Sequence, residues 1–258
     1  MMHRTKFLAI VFSIGLVAVA CGSDSVDSSE LGLVSGDTLT VCTDVPYPPM
    51  EYEDADSPSG FTGFDIELTR AIATDLGLEL AVVTPGWDAI TSGLAMETDQ
   101  CDLSASSITI TPEREEGVDF TTSYFSAEQS LFVSASNGAE GAGDIGKIAV
   151  QSGTTGEIYA QDNLSNELIS FDDAGALYLA LEAGEVDGVI TDLVGNQGYA
   201  DENPGIGQVI ATYATDEEYG MALQEEGAEA LLAAVNASLA KFREDGTYDD
   251  LFAEWFSA

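Results

Sequence analysis

The sequence predicts an α/β protein built as two lobes, each a doubly wound sheet with helices on its faces. Three observations carry that expectation. From Thr38 onward, short apolar runs rich in β-branched residues alternate with amphipathic stretches of helical period. The alternation is interrupted by the Gly-rich SNGAEGAG and then restarts. A chain of 258 residues with 45% hydrophobic content is long enough to bury one large core or two modest ones.

In order, DTLTVCT reads as a buried strand and GFDIELTRAIATDLGL as an amphipathic helix stopped by Gly77. LELAVVT is the next strand, WDAITSGLAME the next helix and CDLSASS the third strand, which completes a βαβαβ unit. TTSYFSAEQSLFVSA reads as a strand leaving the first lobe. In the second lobe KIAV is a strand, SGTTGEIYAQDNL a turn entering a helix, LISF a strand, DDAGALYLALEAG a helix and DGVIT a strand. YADENPGIG is a turn-rich excursion, QVIATY a last strand, EEYGMALQ a return strand, and two or more helices close the chain. The expected domains are 37–134 with 222–258 as the first lobe and 135–221 as the second, with crossings near 134–137 and 218–222.

The N-terminus stands apart from this pattern. MMHRTKFLAIVFSIGLVAVA carries Arg4 and Lys6 before an apolar run that is short for a membrane span and suits a signal peptide over 1–20. Cys21 follows, and the polar stretch to residue 36 has the composition of a flexible tether. Removing 1–20 takes away Arg4 and Lys6 and no acid, leaving 5 cations against 46 acids, a formal charge of −41. Such a charge excludes nucleic acid and anionic membrane surfaces as partners. No Cys/His cluster suggests a metal site, because the one histidine is His3. Export places Cys42 and Cys101 in an oxidising compartment, where a disulfide and a pair of buried free thiols are both open readings.

Candidate site residues follow from strand ends, since ligands of open parallel sheets sit beyond the carboxyl ends of the strands. Asp44 and Tyr47 project from the proline-stiffened loop after the first strand. After the third, Thr111 and Pro112 suit a helix start, which puts Arg114 in the first turn, where a cation opposes the helix dipole. A purely structural arginine gains nothing there. Beside the amides of Ser107 and Thr109 it forms a carboxylate site. In AVQSGTTGE, residues Gly153, Thr154 and Thr155 lie between a strand and a helix, where free N–H groups favour an anion, and the lysine of a phosphate loop is missing. Asp192 ends a strand, able to meet an ammonium group or to cap the helix that follows.

TVCTDVPYPPMEYE, GFTGFDIELTRAIATDLG, SSITITPEREEGVDFTTSYF, QSGTTGE, EVDGVITD and FREDGTYDDLFAEWF occur in the order of the extracytoplasmic solute-binding proteins, family 3, of amino-acid ABC importers. The chain resembles that family over nearly all of 37–258. The resemblance implies a type II periplasmic-binding-protein fold that closes over an L-amino acid and delivers it to a membrane permease, as a monomer without cofactor. It implies that Arg114 grips the α-carboxylate with Thr109 and the backbone of Thr155, and that Asp192 with Ser107 takes the α-ammonium. Tyr47 and Trp87 resemble the aromatic walls around the side chain, with Asp44 at its far end. Asp44 and Asp192 together favour a polar or cationic ligand.

AVAC resembles a lipobox, which implies that Cys21 is lipidated and anchors the protein outside the cell membrane. The same fold places Cys42 and Cys101 on neighbouring strands, in favour of the disulfide. Two departures from the family pattern concern the pocket: Gly156 replaces a side chain that closes over the ligand, and Met50 replaces a frequent phenylalanine. Two rival functions share the fold: a cyclohexadienyl dehydratase, with Glu51, Glu53 or Asp44 as its general acid, and a ligand-sensing module.

Overall fold

The computed structural model describes residues 28–256. The expected signal peptide and residues 21–27 of the expected tether, Cys21 among them, lie outside that range. Residues 28–36 are not a free tether, since Leu31 is buried in the first lobe's core and Val34 N–H donates to Asp102 Oδ1 at 2.6 Å. The first lobe opens with β1 (Thr38–Cys42), whose Leu39, Val41 and Cys42 are fully buried, as expected of a strand covered on both faces. A small hairpin of β2 (Tyr52–Glu53) and β3 (Phe61–Thr62) leads into α1 (Phe64–Asp75). Helix α1 buries Asp65, Leu68, Thr69 and Ile72 at helical spacing. Gly63 before it has φ 120°, and a Cβ there would lie 2.2 Å from the Met50 carbonyl oxygen, so only glycine fits.

β4 (Glu79–Val83) runs parallel to β1. The stretch expected as one helix is two, α2 (Trp87–Thr91) and α3 (Leu94–Glu97), because Gly93 at φ 82° breaks the spiral between them. β5 (Leu103–Ser104) also lies parallel to β1, with Val41 opposite Leu103 and Cys42 opposite Ser104. Cys101, just before β5, is bonded sulfur to sulfur to Cys42, with Cα atoms 5.7 Å apart. Closing a loop whose ends lie 59 positions apart in the sequence contributes about 4 kcal/mol by the chain-entropy estimate. β6 (Val118–Phe120) completes the lobe's edge.

The crossing into the second lobe comes earlier than the sequence suggests. β7 (Phe125–Ser134) belongs wholly to the second sheet, where it pairs antiparallel with two neighbours. The expectation that 125–134 closes the first lobe is therefore corrected. An apolar strand that exits one sheet and enters the next carries no mark of where the change occurs. The rest of that lobe is β8 (Lys147–Gln151), α4 (Thr155–Asn163), β9 (Glu167–Phe171), α5 (Ala174–Ala183), β10 (Gly188–Asp192), α6 (Leu193–Glu202) and β11 (Gly207–Tyr219). Helix α6 takes in the first half of the segment expected as a surface excursion. The last expected strand and the first three residues of the expected return strand are one continuous β11, and the return strand's last three form a separate strand, β12 (Ala222–Gln224).

The chain recrosses at Gly220 and Met221, where Tyr124 N–H donates to the Tyr219 carbonyl and Thr121 N–H to that of Met221. β12 (Ala222–Gln224), α7 (Glu229–Asp245) and α8 (Thr247–Phe256) return to the first lobe. The strand orders are β4-β1-β5-β12-β6 and β11-β7-β10-β8-β9. Each sheet thus has three parallel strands on one side, β4-β1-β5 and β10-β8-β9, and two strands paired antiparallel on the other, added where the chain crosses between lobes.

In the second sheet, Leu131, Val133, Ile148, Val150 and Ile190 face one side while Phe132, Ala149 and Val189 face the other. That period of two, with both faces apolar, demands helices on both. The first lobe's core gathers Leu39, Val41, Phe64, Leu103 and Leu223, and Met50 is buried there too. Met50 is thus a core residue and does not shape the cleft. Phe256 of α8 packs on Phe64 and Phe125 at 5.2 Å between ring centroids, which ties the C-terminus to the crossing.

Candidate functional site

The carboxyl ends of β1, β5, β8 and β10 point toward one another across the gap between the lobes, and a cavity lies there. Its lining includes every ligand candidate named from the sequence. The first lobe supplies Asp44, Tyr47, Trp87, Ser107, Thr109 and Arg114, and the second supplies Thr155 and Asp192.

Arg114 sits in a single 3-10 turn, Arg114–Glu116, where the sequence suggested a helix start. Gly117 and the following β6 leave no room for a longer spiral. Thr111 still caps the turn, its Oγ1 accepting from Arg114 N–H at 3.2 Å. So short a turn has little dipole, and the position of the arginine is explained by where its head reaches. Nη1 donates to the Thr109 carbonyl at 2.8 Å and Nη2 to that of Gly153, in the other lobe, at 3.2 Å. The guanidinium carbon lies 5.2 Å from the Trp87 ring centroid, and Trp87 Nε1–H also donates to Gly153 O. Burial lowers the Arg114 pKa, an effect opposed by Asp192 and Glu217 at longer range. Among the described residues the ion pairs are Arg70 with Glu67 and Lys241 with Asp75, so Arg114 has none.

Ser107 adopts φ 51°, unusual for a residue with a side chain. Its amide donates to Asp65 Oδ2 at 2.7 Å, so it is not a free donor to a ligand carboxylate, which corrects that part of the sequence reading. Thr154 is the N-cap of α4 and accepts from Glu157 N–H at 3.1 Å, while the Glu157 carboxylate takes the Gly153 amide at 2.9 Å. Of the suggested anion loop, that amide is already used.

Asp192 occupies the N-cap position of α6 but makes no capping bond. It turns into the cleft instead, accepting from the hydroxyls of Tyr219 and Tyr47 and from the Gln129 amide. Burial and the nearby Glu217 push its pKa up to about 7, with the Tyr219 and Gln129 bonds and Arg114 acting the other way. The Tyr47 hydroxyl also lies 3.0 Å from Thr191 Oγ1, which joins the two lobes.

Several lining residues escaped the sequence reading. Gln151, the last residue of β8, donates to Asp44 Oδ2 at 2.8 Å, and the strand-end rule that found Asp192 would have found it. Ser106 donates to Glu51 Oε1 at 2.9 Å. Glu51 was considered only as an acid catalyst. It lines the cavity fully buried, and burial followed by the neighbouring Asp65 holds its pKa well above the usual range. Asp65 itself is raised to about 6 by burial. Burial likewise raises Asp44. Glu53 is exposed and takes no part. Glu217 and Gln129 stand behind Thr109, Thr155 and Asp192, and no local pattern marks them.

Two α/β lobes joined by two crossings, with the cation of one lobe and the buried Asp192 of the other lining the same cleft, define a protein that holds a small charged molecule between its lobes. Comparison with known proteins gives the particular family. The chain belongs to the bacterial extracellular solute-binding proteins, family 3, whose pattern matches residues 39–258. It is 28% identical to a probable histidine-binding protein of Neisseria gonorrhoeae, over 99% of this chain and 97% of that one. Among solved structures, an ancestral arginine-binding protein bound to arginine superposes with a TM-score of 0.77 at 32% identity, covering 86% of this chain and 99% of that one. The arginine-, lysine-, histidine-binding protein ArtJ from Geobacillus stearothermophilus gives 0.76 at 30%, covering 86% and 96%.

Proposed function

We propose that this protein captures an L-amino acid with a polar or cationic side chain outside the cell and hands it to an ABC permease. The observation that carries this reading is Arg114, which lines the cavity with no carboxylate partner among the described residues and reaches both lobes. A partly buried guanidinium with unspent donors calls for an anion, and an amino-acid carboxylate offers two oxygens in matching geometry. Asp192 across the cleft suits the ammonium. Asp44 and the buried Glu51 suit a basic side-chain end, and the relatives named for arginine, lysine and histidine agree with that preference. Thermal unfolding with each of the twenty L-amino acids tests it. Stabilisation by a few related ligands, headed by basic or amide side chains, is expected. A folded sample that responds to none of them defeats the reading.

Residues 37–124 with 220–258 act as the first lobe and 125–219 as the second, closing as a hinge on the ligand. In the exported protein the Cys42–Cys101 bond persists. Cys21 becomes the lipidated N-terminus of a monomer tethered to the outer face of the membrane, a placement that keeps the ligand near its permease. Metabolic fatty-acid labelling is expected to mark the wild type, and Cys21→Ser is expected to lose the label and enter the medium. An unlabelled wild type rules out the anchor.

A further inference from the structure

We propose that Glu217 is a positioning residue for the ligand's head group, drawing the hydroxyl protons of Thr109 and Thr155 away from the cleft so that both oxygens face the ligand as acceptors. The inference rests on the amino-acid reading above and adds a residue that does not line the cavity.

Glu217 is buried on β11. Its Oε2 accepts from Thr109 Oγ1 at 2.8 Å and from Thr155 Oγ1 at 2.7 Å, and its Oε1 accepts from Gln129 Nε2 at 3.0 Å. A carboxylate oxygen only accepts, and a hydroxyl has one proton to give. With that proton spent on Glu217, each threonine shows lone pairs to the cavity it lines. The two hydroxyls come from opposite lobes and lie 3.4 Å apart, so one carboxylate sets the polarity of both halves.

Gln129 holds the arrangement. Its amide nitrogen serves Glu217 and Asp192 together, while its buried Oε1 has no hydrogen-bond partner among the described residues and lies toward Gly156. A Cβ on Gly156 would stand 2.8 Å from that oxygen, so a side chain there would displace the amide. Gly156 therefore leaves room for Gln129. The consequence for recognition is a division of labour: Arg114 takes the carboxylate, while the ammonium meets acceptors from Thr109 and Thr155 as well as Asp192.

Titration calorimetry with L-arginine and L-argininamide tests this, because the amide keeps both cationic groups and lacks the carboxylate. Should the wild type take a neutral amino acid, L-glutamine and L-glutaminamide replace them. In Glu217→Gln the negative charge is gone and a hydroxyl is freed to donate, so the preference for the acid over its amide is expected to rise about tenfold. An unchanged preference overturns the inference. In the paired variant Thr109→Val with Thr155→Val, affinity for acid and amide should fall alike. A loss confined to the acid would show the hydroxyls donating to the carboxylate and also overturns it. A wild type that binds no L-amino acid removes the functional reading and this inference together, whereas a wild type that binds with an unmoved Glu217→Gln preference removes this inference alone.

Discussion

Arg114→Ala is expected to raise the dissociation constant for the amino-acid ligand by about a hundredfold to a thousandfold, the largest effect of any single truncation in the cleft. Two charge-assisted hydrogen bonds to the carboxylate would be lost, each worth about 1.5–3 kcal/mol. Truncating one partner of a buried charge pair also strands the other charge, with a total cost of about 2–5 kcal/mol. The variant also loses the contact with Trp87 within the first lobe and the bond to Gly153 O, which connects the lobes. Isothermal titration of both proteins measures the change, with circular dichroism as the check on folding. A fall of less than about fivefold in a folded variant would remove Arg114 from the carboxylate site.

Asp192 governs the second effect, through pH. Its folded pKa of about 7 lies far above the ordinary 3.8, because the carboxyl is buried beside Glu217. A carboxyl raised on folding binds more protons in the folded chain than in the unfolded one between these two values. Stability therefore declines as pH rises across that interval, by the sign of the linkage relation. Ligand binding runs the other way. An ammonium group pairs with the ionised form, so capture below neutral pH must expel the Asp192 proton. Affinity is expected to fall about tenfold for each pH unit below 7 and to level off above it. Asp192→Asn should bind about a hundredfold more weakly at pH 8 and lose that slope. A wild-type affinity that is flat between pH 5 and 8 would contradict the assignment.

Local chemistry made much of the site legible. Asp44, Tyr47, Thr155 and Asp192 follow loops or ends of strands whose alternation is visible in the sequence, and parallel strands deliver their ends to one place. Arg114 was found for a reason that the structure revises. It is not an arginine held against a long helix dipole, but one carried by a short turn whose geometry aims the head at two carbonyls. Glu51 was legible as a residue and not as a wall of the cavity, since its burial depends on Ser106, Asp65 and the loop from Asp44 closing around it.

What the amino-acid sequence determined by itself was periodic and near in the chain: two α/β units, the restart after the Gly-rich stretch, the strand-end loops, the cap at Thr111, and an acidic surface. What only the tertiary structure decided was whatever depends on residues far apart becoming neighbours. The crossing moved to residues 121–124 because β7 finds its hydrogen-bond partners in β10 and β11, more than fifty residues on. Glu217 acquired a role because β11 carries it beneath Thr109 and Thr155, 108 and 62 positions away in the chain. Period and capping are written in neighbouring residues, whereas the direction of a hydroxyl proton is set by whichever acceptor the fold brings within reach.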